Sequence, residues 1–142
     1  MINKNPALVA DLAALAGDRD PLLVMRAYDL LEKIAHEHTA WIEPYKHLFI
    51  GPHAASERWE TRLQIVRALP LFSWTAAQRK RAETILLDNV TYPQTFVRAW
   101  ALDSLATFSA KNPTLLPDVR RYITQFARSR SKALQARARA IQ

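Results

Sequence analysis

Four histidines, His36, His38, His47 and His53, fall within 18 residues, with Glu37 and Glu43 beside them, so the first chemistry to weigh is a metal site. Imidazole and carboxylate are ordinary zinc ligands, but a ligand set must turn its donors toward one point. His36 and His38 are two apart, which on a helix directs them about 200° from each other. No His-Glu-x-x-His pair occurs. The expectation is no metal and no other cofactor. Nucleophilic chemistry fares no better. The chain has no cysteine and two glycines, and it lacks a Gly-x-Ser-x-Gly elbow, a phosphate loop or a dinucleotide fingerprint. Ser, His and Asp are present but scattered, so the chain is read as non-catalytic.

The basic residues say more. The net charge is +7 over 142 residues, unevenly spread. Residues 1–71 carry 8 Lys+Arg against 9 Asp+Glu, and residues 72–142 carry 12 against 4. Such asymmetry favours an acidic partner for the C-terminal half, whether a protein with an acidic surface, a nucleic acid or an anionic surface. Four tryptophans, Trp41, Trp59, Trp74 and Trp100, could stack on bases beside these cations. Their helical spacing places them in the core instead: Trp41 lies one turn from Tyr45, and Trp74 precedes a cap. Arg26, Arg62 and Arg98 recur every 36 residues and are expected to satisfy turn carbonyls or acidic side chains of neighbouring segments.

The elements that carry these residues are helical. With two glycines and eight prolines a turn-rich β protein is excluded, and the prolines fall where helices begin. Asn5-Pro6, Asp20-Pro21 and Asn112-Pro113 each set a capping side chain before a proline whose missing N–H is no loss in a first turn. Thr75 followed by Gln78 fits a capping box, and Gly17 suits a left-handed closing residue. Apolar residues at helical spacing, such as Val97, Ala101, Leu105 and Phe108, complete the pattern. Helices are expected near 6–16, 21–37, 41–50, 56–71, 76–90, 94–110, 114–128 and from 132, in one domain spanning 1–142. No run of 18 apolar residues and no secretory signal is present, so a soluble cytoplasmic protein with no membrane contact is expected.

The segments repeat. Thr61-Arg62 with Ile65 and Leu69 aligns, 36 residues on, with Val97-Arg98, Ala101 and Leu105, and Arg26 lies 36 residues before Arg62. A looser copy begins at Ala136-Arg137. Asp20, Ser56, Tyr92 and Ser131 stand five residues before each pair. A period of this length with two helices per unit is the mark of a solenoid.

This apolar-Arg-x-x-small-x-x-x-Leu pattern resembles the HEAT and armadillo-like repeats over residues 20–142. The resemblance implies an all-α fold, a short right-handed α-solenoid of about three and a half helix pairs, whose second helices line a concave face that binds partners. On the third such helix, Leu116, Val119, Ile123 and Phe126 form the expected buried stripe, which leaves Arg121, Thr124, Gln125 and Arg128 on the opposite face. On the second, Leu86 packs inward and Lys80, Arg81 and Thr84 face away. These seven residues are the candidate binding site. The expected function is a scaffold recognising a protein partner, with nucleic acid as the alternative. Phe96-Val97-Arg98, Leu105, Phe108-Ser109 and Asn112-Pro113 resemble one repeat of the HEAT-like DNA alkylation-repair glycosylases, which supports that alternative. Asp103 stands where that repeat carries a tryptophan.

Overall fold

Helix starts are set by side-chain caps. Asp20 accepts a hydrogen bond from the Leu22 N–H at 2.9 Å, and Pro21 opens the helix behind it. Thr75 and Gln78 form the reciprocal capping box, Asn112 accepts from the Thr114 N–H, and Gln94 from the Phe96 N–H. In the computed structural model, which describes residues 6–141, these caps open three of eight α-helices and a 3-10 turn, and no strand occurs among the described residues. The cap expected of Asn5 lies outside them. The helices are α1 (Pro6–Leu15), α2 (Pro21–Glu37), α3 (Thr39–Ile42), α4 (Trp59–Ala68), α5 (Ala76–Asn89), α6 (Thr95–Ser109), α7 (Leu116–Ala127) and α8 (Lys132–Ile141). None of them is long and apolar enough to cross a membrane.

Three expectations change. Gly17 is not left-handed: no described residue has positive φ. The end of α1 instead tightens through the Gly17 N–H to the Ala14 carbonyl and the Asp18 N–H to the Leu15 carbonyl, bonds of 3-10 type. The helix expected over 41–50 is α-helical only in α3, after which Glu43–Ile50 winds as 3-10. Pro44 has no N–H to give the Ala40 carbonyl, so the α ladder cannot run through it. The helix expected over 56–71 starts at Trp59, behind a 3-10 turn over Pro52–Ala55, and ends at Ala68 before another that contains Pro70.

The core is organised around a row in which α2 packs on α4, α4 on α6 and α6 on α8, with α1, α3, α5 and α7 against it. Burial repeats along the row. Val24, Tyr28, Leu31 and Glu32 of α2 match Thr61, Ile65, Ala68 and Leu69, then Val97, Ala101, Ser104 and Leu105 of α6, then Leu134 and Ala138 of α8. The spacing is 37, 36 and 37 residues rather than a uniform 36. Met25 is therefore the structural counterpart of Arg62 and Arg98, and Gln135 the fourth member; Arg26 and Arg137 are out of register. Each fully buried leucine or isoleucine of this set stabilises the fold by about 1.5–3 kcal/mol.

Register explains the arginine pattern. Arg62 Nε–H donates to the Ser56 carbonyl at 2.6 Å and Nη1–H to Asn89 Oδ1 at 3.1 Å, while the guanidinium lies 4.1 Å from the Tyr92 ring centre. Arg98 Nε–H donates to the Val90 carbonyl, and Gln135 Nε2–H to the Ser129 carbonyl. Each ties a row helix to the turn that precedes it. Arg26 is exposed and takes no part.

Candidate functional site

The seven candidate residues are all exposed, but they do not form one stripe. Lys80 and Thr84 line a groove between α5 and the start of α7, together with Glu83, Asn112 and Asp118. Arg81 lies outside it: its Nε–H donates to the Ile50 carbonyl at 3.3 Å, and it lines a separate cleft with Ala54, Arg62 and Asn89. Arg121, Thr124, Gln125 and Arg128 share one face of α7, where helical spacing puts them. Arg121 pairs with Asp118 at 3.0 Å and rests against the Tyr122 ring. Thr84 and Thr124 turn their hydroxyls back onto the Lys80 and Arg120 carbonyls. The buried stripe of α7 also differs from expectation: Val119, Tyr122 and Phe126 are buried, while Leu116 and Ile123 are only half-buried.

The histidines go to four separate places. His36 Nε2 lies 2.7 Å from Glu32 Oε1, His38 stacks on Trp41, His53 meets the Tyr28 ring edge, and His47 is exposed. Among the described residues no three His, Asp or Glu side chains come together.

The richer surface is the solvent face of the α2, α4, α6 and α8 row. Its polar part is a chain of contacts across four helices. Glu32 is buried, with Oε1 3.3 Å from Arg67 Nε. Both contacts of that oxygen are near enough for charge pairing, yet neither has hydrogen-bond direction, so Glu32 Oε1 and Arg67 Nε have no hydrogen-bond partner; Gln64 Oε1 beside them has none either. The Arg67 guanidinium is 4.7 Å from the Trp100 ring centre, and that of Arg137 is 4.4 Å from it. Arg137 also bonds Asp103 at 3.2 Å. Trp100 is thus gripped by arginines from the helices on either side of its own, each arginine neutralised by a carboxylate. Trp74 donates its indole N–H to the Leu69 carbonyl, and all four tryptophans are half-buried, with Trp41, Trp74 and Trp100 packed against the core.

The apolar part lies at the other end of the same face. Leu22 and Leu23 stand in the first turn of α2, Trp59 in that of α4 and Phe96 in that of α6, with the Trp59 and Phe96 rings stacked at 6.5 Å. Phe96 is 54% exposed and Leu22 46%, and with Leu15, Leu23 and Leu30 they are the exposed large apolar side chains of the described chain. The sequence carries a signal for this face that lies outside the seven candidate residues. Gln64 and Trp100, and Arg67 and Asp103, are each 36 residues apart, the spacing that separates Arg62 from Arg98.

No family model matches this chain, and no characterised protein or solved structure matches it either. The structure therefore defines the class no further than an all-helical protein.

Proposed function

We propose that the chain is a non-catalytic recognition module, a short right-handed α-solenoid of HEAT-like helix pairs, that engages a protein partner through the solvent face of the α2, α4 and α6 row. One observation carries this reading. Leu22, Leu23 and Phe96 expose apolar surface in the first turns of row helices, with Phe96 stacked on the half-buried Trp59, while the Glu32–Arg67 and Asp103–Arg137 pairs lie further along the same row. Exposed apolar clusters on a polar rim are where binding energy concentrates, and aromatic side chains are the usual anchors. The burial repeat at 37, 36 and 37 residues supports the solenoid, because stacked repeats bury equivalent positions. The polar faces of α5 and α7 are less suited to a protein partner, since Arg81, Arg121, Thr84 and Thr124 are already committed to contacts within the chain.

The test begins by crosslinking the protein in lysate of its native source, identifying the partner by mass spectrometry and purifying it. Leu22→Asp with Phe96→Asp is expected to weaken the purified partner's binding at least tenfold with an unchanged melting temperature. If those variants bind normally while Arg121→Glu with Arg128→Glu does not, the partner face is the α7 surface instead.

A further inference from the structure

We propose that the basic edge formed by α7, the α7–α8 turn and α8 binds the phosphate backbone of a nucleic acid, without reading its sequence. Residues 113–142 hold 7 Lys+Arg against 1 Asp+Glu, so this segment carries +6 of the chain's +7. Two of the seven have carboxylate partners, Arg121 on Asp118 and Arg137 on Asp103. Arg120, Arg128, Arg130, Lys132 and Arg139 are exposed and lie within ion-pair distance of no described carboxylate. Five like charges left unneutralised on a two-helix hairpin repel one another, and a polyanion relieves that repulsion.

Three features choose among polyanions. Six of the seven cations are arginines, whose planar fork matches phosphate oxygens in pairs. Gln125 stands exposed between Arg121 and Arg128, and a side-chain amide donates to phosphates alongside arginine. None of the exposed large apolar side chains lies in 113–142, so this edge has neither the anchors a protein interface needs nor the apolar face that inserts into a lipid surface. Phosphate contacts need none: their free energy comes from counterions released on binding. The absence of an exposed aromatic on this edge leaves no base-stacking platform, which is why no sequence preference is expected.

Binding of a fluorescent 30-base-pair duplex and of a single strand of the same length, as DNA and as RNA, is measured by anisotropy from 50 to 200 mM salt. Five contacts on a duplex give a slope of log K against log salt near −4.5, a loss of roughly 500-fold across that range. Arg128→Gln with Arg130→Gln removes two contacts and is expected to flatten the slope by about 2. Lys132→Gln with Arg139→Gln, on the other side of the turn, is expected to do the same. Arg26→Gln with Lys33→Gln, exposed cations elsewhere, is expected to change nothing. Circular dichroism melts of every variant establish that it is folded. No binding at 50 mM salt overturns the proposal. So does unchanged binding in both double variants, or binding to polyglutamate or phosphatidylserine vesicles with none to nucleic acid. The proposal does not rest on the protein-binding face, and Phe96→Asp is expected to bind nucleic acid as the wild type does.

Discussion

Ser104 on α6 donates its hydroxyl to the carbonyl of Val66 on α4 at 2.6 Å, and the reason lies four residues past Val66. In a continuing helix the Val66 carbonyl would accept the N–H of residue 70, but residue 70 is proline and has none. Both side chains are buried, so without Ser104 the carbonyl would be stranded in the core. One helix repairs the backbone of its neighbour.

Ser104→Ala is accordingly expected to destabilise the protein by about 1–3 kcal/mol in urea unfolding, the cost of an unsatisfied buried acceptor. In a Pro70→Ala background the restored N–H can serve Val66, and the same substitution is expected to cost less than about 1 kcal/mol. Equal costs in the two backgrounds would refute this account of the pair.

The register of the row makes opposite forecasts for two arginines. Arg62→Ala removes two hydrogen bonds and the Tyr92 contact, and is expected to cost about 2–3 kcal/mol. Arg26→Ala, exposed and out of register, is expected to stay within about 0.5 kcal/mol of wild type. Similar losses at both sites would return the repeat to a uniform spacing of 36.

Tyr28 is 1% exposed, and its hydroxyl donates to the Leu48 carbonyl at 2.7 Å. Burial pushes its phenol well above the ordinary value of 10.0. The folded chain therefore holds a proton that the unfolded chain gives up. The stability this contributes is complete below about pH 10 and falls by about 1.4 kcal/mol per pH unit above it, until the folded phenol itself ionises. Comparing wild type with Tyr28→Phe across pH 9 to 12 isolates the effect: the two stability curves are expected to converge as pH rises, and parallel curves would show that Tyr28 titrates normally.

Much of the fold was legible because its signals are local. The caps at Asp20, Thr75 and Asn112 act on backbone two or three residues away, and a reader of the chain sees both partners at once. The misreadings came where distant contacts decide. Matching arginine to arginine put Arg26 in the ladder, but burial of Tyr28 and Leu31 against the neighbouring helix fixes a register one residue away. Pro44 was visible, yet how tightly Glu43–Ile50 winds after it depends on the Phe49 ring packing onto Tyr28 and Phe72. The candidate site suffered similarly. Arg81 looks free on a helical wheel, and only the fold brings the Ile50 carbonyl to it. Glu32 carries no local sign of its burial, because the Arg67 that neutralises it is 35 residues on.

The row of helices also governs how the molecule assembles in time. Its cross-helix ties, Glu32 to Arg67, Val66 to Ser104 and Asp103 to Arg137, close loops of 34 to 38 residues, so each helix can dock on the one just formed. Nearest-neighbour docking of this kind favours fast folding and lets protection from solvent fall off along the row. Amide hydrogens of α4 and α6, flanked by row helices on both sides, are expected to exchange slowest. Those of α8, held on one side, are expected to open first, at the edge that carries the unpaired arginines.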